Sequence, residues 1–355
     1  MTAHSVLILG ASYGSLLGAK LAMAGHNVTL VCLPAEVQAI NRDGAIIRTA
    51  TKEHGPIEIN SRDLPGRLTA SSPRDVDLSR YDLVSLAMQE PQYGSSGVRE
   101  LTAAIAAARI PTISIMNMPP LVYLKRIPGI DVSGLTEAYA DASVWQHFDP
   151  DLFTLGSPDP QAFRPPEAGP NVLQVTLPTN FKMARFAADE HTAMLRRLQA
   201  DIEAIRLDTP GGKVDVPVKL KVHESVFVPL AKWAMLMTGN YRCVTRSGPR
   251  SIQQAVHSDI DRSRSVYEWV VDLCVALGAL REDMVPFEKY AQAANGLTRP
   301  SSAVRALSAG ARNIERVDRL VQAVAAQRGL RDQAIDEIVT TVDAQLIANR
   351  AVAAE

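Results

Sequence analysis

Apolar and polar residues alternate with two different periods along the first 210 residues of the chain. Short apolar runs rich in Val, Ile and Leu are typical of buried strands, and segments with apolar residues three and four positions apart are typical of helices. The predicted strands cover residues 6–9, 28–32, 82–87, 112–116 and 172–177, with an additional ribbon at 45–48 and 56–59, and the predicted helices cover 16–24, 98–108 and 189–205. This alternation predicts a doubly wound sheet of mainly parallel strands.

From about residue 216 the pattern is helical, over residues 223–237, 259–277, 313–327 and 332–348, and residues 208–212 have the composition of a linker. A chain of 355 residues exceeds the size at which a single core usually keeps growing. We therefore predict an α/β domain over residues 1–210 and an all-helical domain over 211–355, with a substrate cleft between them. The proline-rich stretch over residues 148–170 is predicted as a surface loop.

A glycine turn follows the first predicted strand and precedes the first predicted helix. Strand, glycine turn, helix and strand in this order open a nucleotide-binding βαβ unit, in which N–H groups at the helix N-terminus bind a pyrophosphate. Ser12 replaces the second glycine of the usual G-x-G-x-x-G pattern, and Gly14 comes one residue early. The predicted cofactor-binding residues of this turn are Gly10, Ala11, Ser12, Tyr13, Gly14 and Ser15.

The same turn also matches G-x-S-x-G, which carries the nucleophilic serine of α/β-hydrolases. In a third interpretation, its small residues only allow the helix to pack closely against the strand. Only nine residues precede Gly10, too few for the earlier strands and the oxyanion loop of a hydrolase. The nucleotide-binding interpretation is therefore favoured, and the predicted fold is α/β: an N-terminal Rossmann-type dinucleotide-binding domain followed by an all-helical C-terminal domain.

Composition excludes some classes of function without choosing one. The formal net charge of −1 argues against a nucleic-acid partner. Cys32, Cys243 and Cys274 lack the spacing of a metal site, which favours buried free thiols in a reducing cytoplasm. No run of eighteen apolar residues predicts a membrane span. We expect a soluble, cytoplasmic protein without a metal, a nucleic-acid partner or a membrane partner.

Three stretches near the N-terminus carry a resemblance to a known family: residues 8–11 (ILGA), 14–22 (GSLLGAKLA) and 24–31 (AGHNVTLV). They resemble the ketopantoate reductase (2-dehydropantoate 2-reductase) family, and the resemblance extends at low identity over nearly the whole chain. It implies a nicotinamide cofactor, usually NADPH with NAD as the alternative, and hydride transfer to the ketone of a small 2-oxo acid to give a 2-hydroxy acid. It also implies a role in pantothenate biosynthesis and is compatible with a homodimer.

The resemblance assigns site residues in the later parts of the chain. For the catalytic pair it implies Lys232, which would stabilise the carbonyl oxygen and donate its proton, and Glu315, which would hold that lysine. The residues that it implies for ligand binding are Asn240 and Ser302 for the substrate, Gln92 for the cofactor, and Asn117 for both.

The chain departs from the family pattern in several places. Leu236 stands where the family has a second substrate-binding asparagine, Met118 follows the strand-end asparagine in place of a glycine, and Gln89 replaces a lysine. One extra residue precedes the glutamate, which makes Ile314 the alternative occupant of that position. After the second strand comes Cys32-Leu33-Pro34, so the choice between NAD and NADP is not decided, with Glu36 and Arg42 as the nearest acid and base.

Simpler interpretations also stay open. Asn117 would serve as a turn residue that caps a helix, Lys232 as an ordinary solvated lysine, and Glu315 as an exposed residue favoured by the dipole at a helix start. For the whole chain, the alternatives are another two-domain nicotinamide dehydrogenase, resembling the opine or 6-phosphogluconate dehydrogenases, and a nucleotide-binding relative that has lost catalysis.

Overall fold

The structure is a computed structural model that describes residues 3–51, 55–209 and 212–352. They form two compact units. The sheet unit is built from the described parts of Met1–Met88, Gln92–Met116 and Val144–Glu224, and the helical unit from those of Gln89–Pro91, Asn117–Ser143 and Ser225–Glu355. The predicted linker includes Pro210 and Gly211, which lie outside the described residues. On either side of them, residues 206–209 and 212–215 pair as antiparallel strands.

The predicted α/β class with a helical C-terminal region is confirmed. The strands are β1 (Ser5–Leu9), β2 (Asn27–Val31), β3 (Ile46–Thr51), β4 (Gly55–Asn60), β5 (Leu68–Ser71), β6 (Leu83–Leu86), β7 (Thr112–Ile115), β8 (Phe153–Ser157), β9 (Gln161–Phe163), β10 (Val172–Leu177), β11 (Phe181–Ala184), β12 (Arg206–Thr209), β13 (Gly212–Asp215) and β14 (Leu220–His223). The helices are α1 (Tyr13–Met23), α2 (Pro34–Asp43), α3 (Val98–Ala107), α4 (Leu121–Leu124), α5 (Asp189–Ala204), α6 (Lys232–Met235), α7 (Ile252–His257), α8 (Ile260–Ala276), α9 (Phe287–Ala294), α10 (Ser302–Ser308), α11 (Val317–Gln327) and α12 (Gln333–Val352).

The main sheet has eight strands in the order β14-β11-β8-β7-β6-β1-β2-β5. Paired neighbours run parallel, except β8 and β11, which run antiparallel. The apolar run of β1 is uninterrupted because both faces of a parallel sheet are covered, and its residues from Val6 to Leu9 are fully buried. The chain adds β2 on one side of β1 and β6 on the other. The carboxyl ends of β1 and β6 therefore form the switch point at which such sheets bind ligands.

A second sheet has the order β4-β3-β10-β9. It contains the predicted ribbon, which is confirmed as the antiparallel pair β3 and β4. The surface loop predicted over residues 148–170 is wrong, because this stretch contains β8 of the main sheet and β9 of the second. Its prolines mislead because Pro150 and Pro158 lie outside β8. The strand itself is buried throughout and pairs with β7.

In the helical unit, the predictions over residues 259–277 and 332–348 are confirmed by α8 and α12, whereas α11 begins at Val317 rather than at residue 313. The short helices α7, α9 and α10 were not predicted. Local caps explain two of them, since Ser251 accepts the N–H of Gln254 at the start of α7, and Ser301 accepts that of Val304 at the start of α10. None of the described helices is long and apolar enough to span a membrane.

The helix predicted over residues 223–237 is only partly confirmed. Residues 220–223 form β14, and the helical stretch then runs through a 3-10 turn at Val228–Ala231, α6, a π turn at Leu236–Asn240 and a 3-10 turn at Tyr241–Cys243.

Tyr290 explains the π turn. Its hydroxyl donates to the carbonyl oxygen of Met235 at 3.0 Å, an oxygen that would accept from the N–H of Gly239 in a regular α-helix. A Cβ on Gly239 would lie only 2.0 Å from the Tyr290 hydroxyl oxygen. The glycine thus admits the tyrosine, whose hydroxyl competes for the helix hydrogen bond and widens the turn.

Candidate active site

The glycine turn lies at the carboxyl end of β1, beside the end of β6. Gly10 has φ +104° and donates its N–H to the carbonyl of Val31 at 2.8 Å. A Cβ on Gly10 would lie 2.5 Å from Met88 Cγ and 2.7 Å from the carbonyl oxygen of Ala87. Only glycine therefore fits this position, for reasons of both conformation and space.

Helix α1 begins directly after this turn. Gly14 allows α1 to pack closely on β1, because a Cβ there would lie 2.7 Å from Ile8 Cγ2. This is the packing role of the last glycine in the usual pattern. The Ser15 hydroxyl donates to the Ala11 carbonyl, whereas Ser12 is exposed at the N-cap position and makes no capping bond. The helix start thus presents backbone N–H groups and a hydroxyl at the switch point, which fits a pyrophosphate.

An arginine that the sequence analysis did not single out links this turn to the first turn of α2, which follows β2. Nη2 of Arg164 donates to the Ala11 carbonyl at 2.8 Å, and Nη1 lies 2.8 Å from Oε1 of Glu36. The other oxygen of Glu36 accepts the N–H of Leu33 at 2.9 Å. Burial, with the neighbouring Glu36 charge, raises the pKa of the Cys32 thiol to about 12.

A small cavity inside the helical unit brings together residues that are distant in sequence. Its volume is about 20 Å³, enough for one water molecule. It is lined by Gln89, Asn117, Leu236, Asn240, Tyr241, Ser302, Ala303, Ile314 and Glu315. Several residues that the family resemblance assigns to the site are therefore neighbours, and positions where the chain departs from the family pattern line the same space.

Ser301 holds two parts of this cavity together. Its hydroxyl caps α10 and also donates to the carbonyl of Asn240 at 2.8 Å. The next residue, Ser302, therefore begins α10 beside Asn240, on the exposed side of the cavity.

Glu315 lies in the non-helical segment before α11 and is only 8% exposed. The alternative of an exposed residue in the first turn of a helix is therefore wrong. Its Oε1 accepts the N–H of Glu90 at 3.3 Å, and its Oε2 accepts from Nδ2 of Asn117 at 3.4 Å. The Tyr241 hydroxyl fixes the backbone by donating to the Glu315 carbonyl and accepting the N–H of Val317. The extra residue before Glu315 falls in this segment, where it alters no helix register.

The cavity contains two unusual polar groups. Burial raises the pKa of the Glu315 carboxyl to about 7. Oδ1 of Asn117 is buried and accepts no hydrogen bond from the part of the chain that the structure describes. Buried acceptors are nearly always satisfied, so this oxygen is suited to a donor on a ligand.

Glu90 is a second buried carboxyl that the sequence analysis missed. It is 2% exposed and accepts the N–H of Ala140 at 3.1 Å, and burial raises its pKa to about 6. The sequence signal that could have indicated Glu90 is an acidic residue that follows the buried strand β6 by a few positions.

Lys232, Leu236 and Asn240 lie at four-residue intervals on one helical stretch. In an α-helix, at about 100° per residue, four residues overshoot a full turn by about 40°. A π turn has more residues per turn, so four residues rotate by less than one full turn. This smaller rotation brings Asn240 back toward the side of the helix on which Lys232 lies. Lys232 therefore shares a helix face with two residues of the cavity and is partly buried. Its pairing with Glu315 stays a prediction.

Gln92 follows β6 in a 3-10 segment, Glu90–Gly94, and its carbonyl accepts the Ser95 hydroxyl at 2.7 Å. It belongs to the sheet unit, whereas Gln89–Pro91 belongs to the helical unit. Its role in cofactor binding stays a prediction.

Comparison with known proteins finds solved structures that are similar to the chain. No protein-family model and no curated protein sequence matches the chain. A D-mandelate dehydrogenase in a ternary complex with NADH and anilino(oxo)acetate has a TM-score of 0.65 at 13% identity, covering 98% of this chain and 99% of its own. A ketopantoate reductase from Ralstonia eutropha JMP134 has a TM-score of 0.65 at 18% identity, with 98% and 99% covered. The 2-dehydropantoate 2-reductase from Methylococcus capsulatus has a TM-score of 0.66 at 14% identity, with 97% of each chain covered.

The chain has the fold of the ketopantoate reductases. The likeness covers nearly the full length of both chains, as the sequence resemblance predicted. At these identities the likeness defines the fold, and the chemistry depends on the residues of this chain.

Proposed function

We propose that the chain is an NAD(P)H-dependent oxidoreductase that reduces a small 2-oxo acid to a 2-hydroxy acid, with NADPH as the preferred cofactor. The observation that carries this proposal is the cavity of the helical unit, which gathers Asn117, Asn240, Ser302 and Glu315 from separate elements. The fold supports it, since one structural neighbour is a D-mandelate dehydrogenase bound to NADH and others are ketopantoate reductases.

In this proposal the sheet unit binds the dinucleotide. The N–H groups at the start of α1 and the exposed Ser12 hydroxyl would hold the pyrophosphate, and Gln92 and Asn117 would contact the nicotinamide end. When bound, the nicotinamide supplies the hydride. Asn117 suits its position because Nδ2 donates to Glu315 and the buried Oδ1 keeps an acceptor for a ligand.

Lys232 is proposed as the proton donor. Its ammonium would stabilise the negative charge that grows on the carbonyl oxygen and then release its proton to that oxygen. Glu315 would position the lysine, and ion pairing would favour the charged carboxylate against the burial that raises its pKa. Asn240 and Ser302 would orient the substrate carboxylate by hydrogen bonds.

Leu236 indicates the class of 2-oxo acid. It gives the cavity an apolar wall where the family has an amide, which favours a branched or aromatic substituent over a hydroxylated one. The test is NADPH consumption with ketopantoate, branched-chain 2-oxo acids and phenylglyoxylate. We expect turnover of at least one branched or aromatic acid, and no turnover of any member would contradict the proposed activity.

A catalytically inactive nucleotide-binding relative is the second candidate. The observation that favours it is the small size of the cavity, about 20 Å³ with Leu236 in its wall. Tight NADPH binding without turnover of any acid in the panel would support it.

We also propose a cytoplasmic homodimer. A ketopantoate reductase from Staphylococcus aureus with the same fold is described as dimeric, and α12 leaves Ile347 and Val352 66% and 75% exposed. Light scattering on the purified protein tests the oligomeric state.

A further inference from the structure

On the basis of the function proposed above, we propose that Arg164 selects NADP(H) over NAD(H) by binding the 2′-phosphate, and that Glu36 opposes this selection. The 2′-phosphate is the group by which the two cofactors differ. A residue that recognises the 2′-phosphate must lie between the pyrophosphate-binding turn and the end of the second strand, where the adenosine ribose of a dinucleotide binds.

Arg164 spans this interval. One end of its guanidinium donates to the Ala11 carbonyl in the glycine turn, and the other pairs with Glu36 in the first turn of α2, each at 2.8 Å. The side chain is anchored at two points and still 25% exposed. A guanidinium carries five N–H donors, more than these two contacts require, and matches the geometry of a phosphate.

The two residues directly after β2, Cys32 and Leu33, are not suited to bind the 2′-phosphate. Burial raises the pKa of Cys32 to about 12, so it is a neutral thiol at physiological pH, and Leu33 is apolar and 69% exposed. Arg42, the base considered from the sequence, lies at the far end of α2, six residues or about 9 Å beyond Glu36. It is 76% exposed and pairs with Asp43.

Contacts within the protein hold the Glu36 carboxylate in place. Each of its oxygens already accepts from the protein, one from Arg164 and one from the Leu33 N–H. Its negative charge neutralises the arginine and repels a phosphate at the same place. The two residues therefore act with opposite sign on the preference between the cofactors.

The experiment measures the Kd values of NADPH and NADH by fluorescence titration of the full-length protein. Arg164→Gln is expected to weaken NADPH by about tenfold or more and to change NADH by less than about threefold, because a charge-assisted contact to the phosphate is lost. Glu36→Gln keeps an acceptor for the Leu33 N–H and is expected to shift the Kd ratio about threefold or more toward NADPH. Arg42→Gln, on the exposed end of the same helix, is the matched control and is expected to leave both Kd values unchanged.

Equal weakening of both cofactors in Arg164→Gln would overturn the inference, because Arg164 would then only brace the glycine turn. A shift in the same direction for Arg164→Gln and Glu36→Gln would also overturn it. The wild-type protein provides a measurement that does not depend on the folding of a variant. Its NADPH Kd is expected to rise more steeply with ionic strength than its NADH Kd, and parallel salt dependences would contradict a cation at the 2′-phosphate.

The failure of the proposed function has a different signature. A wild-type protein that binds neither NADPH nor NADH contradicts both the reductase proposal and the role of Arg164. A protein that binds both with a ratio unaffected by Arg164→Gln retains the proposed nicotinamide chemistry and loses only this inference.

Discussion

Replacement of Gly239 by alanine tests how the helical unit aligns its site residues. The new Cβ would lie 2.0 Å from the Tyr290 hydroxyl oxygen and 3.0 Å from Ile252 Cγ2. Tyr290 cannot withdraw freely, since it is 6% exposed and its ring stacks on Tyr267 with centroids 5.4 Å apart. Either the tyrosine moves and loses its hydrogen bond to Met235, or the helix moves and carries Asn240 with it.

The expected loss of stability combines three effects. Overpacking costs about 1–3 kcal/mol, loss of the hydrogen bond between Tyr290 and Met235 costs about 1 kcal/mol, and alanine gains about 1 kcal/mol over glycine in a helix. Gly239→Ala is therefore expected to lower the free energy of unfolding by about 1–3 kcal/mol. Tyr290→Phe alone is expected to cost about 1 kcal/mol, since only the hydroxyl is removed.

Urea denaturation of both single variants and the double variant measures the coupling. In the Tyr290→Phe background the clash with the hydroxyl oxygen is absent, while the 3.0 Å contact with Ile252 Cγ2 remains, so Gly239→Ala is expected to cost much less than in the wild-type background. The same cost of Gly239→Ala in both backgrounds would refute the role of Tyr290 in the π turn. In the active protein, Gly239→Ala is also expected to raise the KM of the 2-oxo acid through Asn240, with the Kd of NADPH unchanged.

Other substitutions test the site and the sheet unit separately. Lys232→Ala is expected to lower kcat by about a hundredfold or more with little change in the Kd of NADPH, and adding Glu315→Ala should cost much less than the product of the single losses; multiplicative losses would mean that the two residues act independently. Leu236→Asn is expected to lower the KM of ketopantoate relative to that of phenylglyoxylate, and an unchanged ratio would show that this residue does not contact the substrate. Lys20 donates to the Val216 carbonyl at 3.0 Å, and burial lowers its pKa from 10.5 to about 7. The unfolded chain therefore binds more protons between these pH values, so the free energy of unfolding should rise from pH 7 to 10.5, and urea denaturation of Lys20→Met should show most of that rise removed.

Local patterns predict the part of the fold that local interactions determine. The strand β1, the glycine turn and α1 follow one another in sequence and pack against one another, so residues 6–24 were sufficient to predict their order. Strand β8 was not, because the prolines around it indicate a loop and its pairing with β7 is a long-range contact. The π turn was hidden for the same reason, since Tyr290 is 51 positions beyond Gly239 along the chain.

The site shows the same division. Glu315 was found only through the family resemblance, because nothing in the neighbouring sequence indicates that its carboxyl would be buried against Glu90 and Asn117. Arg164 was missed because its contacts with Ala11 and Glu36 join residues more than a hundred positions apart. A single arginine in a proline-rich stretch carries no local signal of such a role.

Transfer of deuterium from C4 of the nicotinamide tests the proposed reduction most directly. The protein is incubated with NADPH labelled on each face of C4 in turn, together with the 2-oxo acid that gives the fastest turnover, and the 2-hydroxy acid is analysed by mass spectrometry. One of the two labelled cofactors is expected to give a product with deuterium at C2, and Lys232→Ala should slow its formation strongly. Consumption of NADPH without label at C2 from either face, or an absence of consumption with every acid in the panel, would contradict hydride transfer to a 2-oxo acid.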